Sequence, residues 1–126
     1  MTVKKKILIV EDEPDVSRYL QALFEDNGYD TLTALNGVEG YRLAKSGKPD
    51  LISLDIVMPN QSGVRTYRQY NKDPDLKHIP VIIISALGDD IKRFLNKLSG
   101  FEKPAGFMGK PIHEEKLIKM VTDILG

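Results

Sequence analysis

The 126-residue chain balances 18 Lys and Arg against 18 Asp and Glu, is 41% hydrophobic and has no cysteine. That length predicts one domain over 1–126 with a core of its own, and the composition excludes a wholly disordered chain. Zero net charge argues against a binder that neutralises nucleic-acid phosphates, and the missing cysteines remove disulfide scaffolds, thiolate zinc sites and thiol nucleophiles together.

Lys4-Lys5-Lys6 followed by Ile7-Leu8-Ile9-Val10 mimics the start of an export signal. The apolar run stops at once in Glu11-Asp12-Glu13, too short for such a signal. No stretch approaches the roughly 20 apolar residues of a membrane span. The expectation is a soluble protein, in the cytoplasm by default, with no membrane and no direct nucleic-acid partner.

Ile7 to Val10 is continuous and β-branched, as in a strand buried on both faces. Val16, Tyr19, Leu20, Leu23 and Phe24 then keep helical spacing, with Pro14 suited to the first turn and Gly28 to the stop. Thr31 to Leu35 is the second apolar run. Asn36 with Glu39 caps a second helix that ends near Gly47. Leu51 to Leu54 is the third run. The helix after it, from about Gly63 to Lys72, is poorly patterned, with Val64 and Tyr67 its best core candidates. Val81 to Ile84 is the fourth run. Ile91, Phe94, Leu95 and Leu98 define a fourth helix. Gly106 to Met108 is a weak fifth run, and Leu117, Ile118, Val121, Ile124 and Leu125 define a fifth helix.

Five β-α units at this spacing predict an α/β fold: a doubly wound parallel sheet with helices on both faces. In such a sheet the functional groups gather at the carboxyl ends of the strands. Glu11, Asp12 and Glu13 follow the first strand, Asp55 the third, Ser85 the fourth, and Lys110-Pro111 the fifth. Carboxylates ~4 Å apart repel by roughly 4 kcal/mol per pair at an effective dielectric near 20. One lysine cannot balance Glu11, Asp12 and Asp55. A raised pKa or a bound divalent cation relieves the remainder, and all-oxygen ligands suit Mg²⁺, or Mn²⁺ in its place. Taken singly, each of these residues has a plainer reading as a cap, a satisfied hydroxyl or a solvated charge. The case rests on their falling together at one edge. His78 and His113 read as isolated surface or loop residues.

These residues resemble the receiver domain of two-component response regulators. The resemblance runs through Ile7-Leu8-Ile9-Val10-Glu11-Asp12-Glu13-Pro14 and Asp50-Leu51-Ile52-Ser53-Leu54-Asp55-Ile56-Val57-Met58-Pro59 with Gly63. It continues in Pro80-Val81-Ile82-Ile83-Ile84-Ser85-Ala86 and Lys110-Pro111-Ile112, and so covers essentially the whole chain. It implies a flavodoxin-like five-stranded sheet in the order 2-1-3-4-5 with five helices. It implies a phosphoacceptor Asp55, and Mg²⁺ held by Asp12, Asp55 and the Val57 carbonyl, with Glu11 acting through water. Ser85, Lys110 and the Ala86 amide would contact the phosphoryl group. A cis Lys110-Pro111 peptide is expected. Phe107 falls where the family often carries a switch aromatic, for which a plain core aromatic is the other reading.

The partner implied is a sensor histidine kinase or a histidine phosphotransfer protein. Output goes to a downstream protein through the face of the fourth helix, fifth strand and fifth helix. Homodimerisation on phosphorylation is left open. The chain is a stand-alone regulator or a receiver excised from a longer protein, and a signalling domain rather than an enzyme. Apolar Val57 and Leu87, two residues after Asp55 and Ser85, cannot orient a hydrolytic water, so self-dephosphorylation should be slow. Two segments depart from the family pattern: Met58-Pro59-Asn60-Gln61-Ser62-Gly63, and Gly100-Phe101-Glu102-Lys103-Pro104-Ala105-Gly106 before the fifth strand.

Two rivals stand beside this reading. A phosphatase of the haloacid dehalogenase type needs a second Asp where Val57 stands. A flavodoxin-like nucleotide module needs small residues at the first turn, which here reads Glu11-Asp12-Glu13-Pro14. An unphosphorylated docking module is a third possibility, opposed by the complete set of acids, hydroxyl and amine.

Overall fold

Lys6–Val10 forms the first strand, β1, and alternation along it feeds two apolar layers. Ile7 and Ile9 pack into one layer with Leu20, Phe24, Leu117 and Val121. Leu8 and Val10 pack into the other with Ala44, Tyr67, Tyr70 and Leu76. The computed structural model describes residues 3–56, 63–86, 96 and 100–126.

The elements after β1 are α1 (Pro14–Asp26), β2 (Asp30–Ala34), α2 (Gly37–Gly47), β3 (Leu51–Asp55), α3 (Gly63–Lys72), β4 (Val81–Ser85), β5 (Gly106–Gly109) and α4 (Glu114–Leu125). The five strands form one sheet in the order β2-β1-β3-β4-β5. All four pairings are parallel, so this is the flavodoxin-like order expected. Among the described residues there are four helices where five were expected. The fourth expected helix, carried by Ile91, Phe94, Leu95 and Leu98, lies outside the described residues, and α4 corresponds to the fifth. Among the described residues no helix is long and apolar enough to cross a membrane.

Local signals explain the boundaries. Pro14 opens α1, and Gly28 leaves it at φ +92°, a left-handed backbone that glycine adopts without a Cβ clash. The Asn36 side chain accepts the Glu39 amide at 2.8 Å and starts α2. At the other end Lys48, not Gly47, takes the left-handed position at φ +48°. The strand β2 stops at Ala34, whose carbonyl accepts the Glu11 amide at 3.0 Å, so Leu35 falls outside it and is exposed. In α3 the buried side chains are Thr66, Tyr67 and Tyr70, while Val64 is half-buried. An aromatic stripe with a buried threonine stands where an aliphatic one is usual, which is why the pattern reads poorly.

Candidate acidic site

The carboxyl ends of β1 and β3 are neighbours because Val10 pairs with Leu54. Glu11 therefore leaves β1 beside Asp55, the last residue of β3. Both are buried, at 1% and 4% exposure, and Asp12 beside them is half-buried. One carboxylate oxygen from each of Glu11, Asp12 and Asp55 lies within 4.8 Å of the others, a grouping that could hold a metal ion.

Asp55 pairs with Ile84 and Ser85 with Gly109, so the ends of β4 and β5 continue the same edge. Lys110 follows directly. Its amide donates to the Ser85 carbonyl at 2.8 Å, and the Lys110-Pro111 peptide is cis. The Lys110 ammonium donates to Glu11 Oε1 at 2.9 Å and to Asp55 Oδ2 at 3.4 Å. The other Glu11 oxygen, Oε2, accepts the Glu13 amide at 3.3 Å. That backbone contact was not legible in the sequence, since it depends on the turn into α1.

Burial pushes the Glu11 carboxyl up to about 7; the Lys110 hydrogen bond opposes the shift and the adjacent Asp55 adds to it. Burial works against the Lys110 charge, but Glu11 and Asp55 outweigh it and hold its pKa above the usual lysine value. The patch thus stores more negative charge than its one ammonium neutralises. Hard oxygen donors crowded at this spacing suit a hard divalent cation.

The structure therefore brings Glu11, Asp12, Asp55 and Lys110 together, and sets Ser85 at the same edge, fully buried at the end of β4. Ala86 follows Ser85 and is exposed. Phe107 pairs with Ile83, two residues before Ser85, so Phe107 and Ser85 belong to the same face of the sheet. Its ring is half-buried against the layer that holds Tyr67 and Tyr70. Val57 and Leu87 lie outside the described residues. His113 proves to be a helix cap, its Nδ1 accepting the Lys116 amide at 3.3 Å. No motif announced that role.

The acid edge and the strand order have counterparts among known proteins. Residues 7–122 match the family model of the response regulator receiver domain. Protein PilH of Pseudomonas aeruginosa is 37% identical over 120 residues, covering 95% of this chain and 97% of PilH. The polar-differentiation response regulator DivK of Brucella anthropi is 33% identical, covering 97% of each chain. Among solved structures, the signal receiver domain of a signal transduction histidine kinase from Syntrophus aciditrophicus superposes with a TM-score of 0.85 at 34% identity. That match covers 96% of this chain and 89% of the other. A match over nearly the whole length, with the acids and the lysine at one edge, settles the family: the chain belongs to the response regulator receiver domains of two-component signalling.

Proposed function

We propose that the chain is a receiver switch working in the cytoplasm, in which Asp55 accepts a phosphoryl group from a phosphohistidine. The donor is a sensor histidine kinase or a histidine phosphotransfer protein, and the reaction needs Mg²⁺ or Mn²⁺. The observation that carries this reading is the Lys110 ammonium, set between Glu11 at 2.9 Å and Asp55 at 3.4 Å inside a patch of three converging carboxylates.

Asp12, Asp55, the Val57 carbonyl and, through water, Glu11 would hold the cation. Once bound, it neutralises charge on the acceptor and on the phosphoryl oxygens. An Asp55 carboxylate oxygen forms the new bond to phosphorus as the bond from phosphorus to the donor imidazole nitrogen breaks. The departing imidazole keeps that electron pair and takes a proton from solvent. Lys110 screens the charge that spreads over the phosphoryl group in the loose transition state. The Ser85 hydroxyl and the Ala86 amide donate to its oxygens.

The acyl phosphate then biases a two-state equilibrium. A shift of Ser85 toward the phosphoryl group frees space for the Phe107 ring on the same face. The effect reaches a downstream protein through the face of the expected fourth helix, which lies outside the described residues, with β5 and α4, and homodimerisation is one form it can take. Incubation with acetyl phosphate, with and without Mg²⁺, followed by intact-mass measurement tests the core of this reading. One metal-dependent phosphoryl addition is expected, absent from Asp55→Asn. A mass gain that survives Asp55→Asn, or none in the wild type, overturns it.

A further inference from the structure

The segment that leads into β5 is held by α3. The Phe101 ring lies 5.4 Å from the Arg68 guanidinium and 5.8 Å from the Lys72 ammonium. These two cations are one helical turn apart, so they reach the same ring from one face of α3. One residue before Arg68, the Tyr67 hydroxyl donates to the Glu102 carbonyl at 2.7 Å. Three side chains of α3 thus grip two adjacent residues. Beyond the grip the Ala105 amide donates to the Val81 carbonyl at 2.8 Å and β5 begins at Gly106.

The other end of α3 rests on the acid site. The Gly63 amide donates to the Ile56 carbonyl at 3.2 Å. A Cβ on Gly63 would fall 2.3 Å from Ile56 Cα and 3.0 Å from the Asp55 carbonyl oxygen. Ile56 Cβ, fixed to the backbone, is the other near atom at 2.9 Å, so a displacement of the backbone at 55–56 is passed to the first turn of α3. Thr66, Tyr67 and Tyr70 are buried along the helix. A packed helix about 15 Å long moves as a body rather than deforming.

We infer that α3 is a lever in this protein: charge placed on Asp55 moves it, and its grip on Phe101 and Glu102 carries the movement to the lead-in of β5. This rests on the proposed role of Asp55 and adds a route distinct from that through Ser85 and Phe107. A purely structural grip predicts a different result, since it would hold the segment equally in both states.

Hydrogen exchange of the full chain, before and after loading with acetyl phosphate and Mg²⁺, separates the two, with intact mass reporting the extent of loading. In the wild type, exchange at the amides of Glu102, Lys103, Ala105 and Gly106 is expected to change by roughly threefold or more on loading. Phe101→Leu keeps an apolar side chain but loses the ring. Lys72→Gln alters only an exposed side chain and guards against a folding defect in the first variant. Both should load to the wild-type extent, with the response at 102–106 at least halved. A loaded wild type with no change there overturns the inference, as does a full response in both variants. Failure of the wild type to load overturns the role of Asp55 and the lever with it.

Discussion

The Tyr41 hydroxyl donates to the Asp73 carboxylate at 2.5 Å, tying α2 to the turn after α3. The Asp75 amide at 2.9 Å and the Lys45 ammonium at 3.0 Å complete the shell of this buried acid. These bonds, the tyrosine first, hold the Asp73 pKa down at about 2, against 3.8 for an unperturbed Asp. The unfolded chain therefore takes up this proton before the folded one does. The stabilisation is complete above the unfolded value and is lost as pH falls through about 2. Denaturant unfolding should show Asp73→Asn weaker than wild type at pH 6, with the gap closing from about pH 4 downward. A gap independent of pH would show that charge is not the cause.

Removing the Lys110 ammonium leaves Glu11 and Asp55 buried without their shared donor. Lys110→Met should lower stability at pH 8 by about 1–3 kcal/mol. It should also slow phosphoryl uptake from acetyl phosphate. An unchanged uptake rate, measured by mass over time, would remove Lys110 from the reaction.

Gly63→Ala places a methyl group against backbone, which cannot rotate away as a side chain can. A loss of about 1–3 kcal/mol is expected. Chemical denaturation provides the check, and a neutral result would mean that α3 can lift off Ile56 freely.

Tyr70 runs the other way. Its hydroxyl is buried and, among the described residues, meets no hydrogen-bond partner. Burial accordingly raises its pKa. Tyr70→Phe deletes an unsatisfied polar atom while keeping the ring that stacks with Tyr41 at 6.5 Å. Stability should rise by about 1 kcal/mol, and a fall would reveal a partner for this hydroxyl.

A divalent ion that binds only the folded acid patch must stabilise the fold. At a concentration one hundred times its Kd the gain is about 2.7 kcal/mol. Thermal melts with and without Mg²⁺ should show the shift in wild type, and Asp12→Asn should largely abolish it. An equal shift in the variant would place the ion elsewhere.

The parallel sheet and the meeting of Glu11, Asp12, Asp55 and Lys110 were legible in the sequence because both follow from periodicity, whereas the strand order came from the family resemblance. Apolar runs mark the strands, a parallel sheet aligns their carboxyl ends, and whatever follows each run shares an edge. The Tyr41–Asp73–Lys45 cluster was not legible. Its members are 28 and 32 residues apart and meet only through the packing of α2 beside the turn after α3. The grip on Phe101 was hidden for the same reason. The sequence marked 100–106 as a departure from the family pattern but could not say what Arg68 and Lys72 would do with its ring.

The division of β1 between two apolar layers has a consequence for how this protein can vary in length. Ile7 and Ile9 face one layer, Leu8 and Val10 the other, so one inserted residue inside the strand exchanges the layers along everything beyond it. The same insertion would carry Glu11 and Asp12 off the rim where Asp55 waits. Growth is tolerable in the bend at 27–29, far from that rim, where an extra residue turns no neighbour over.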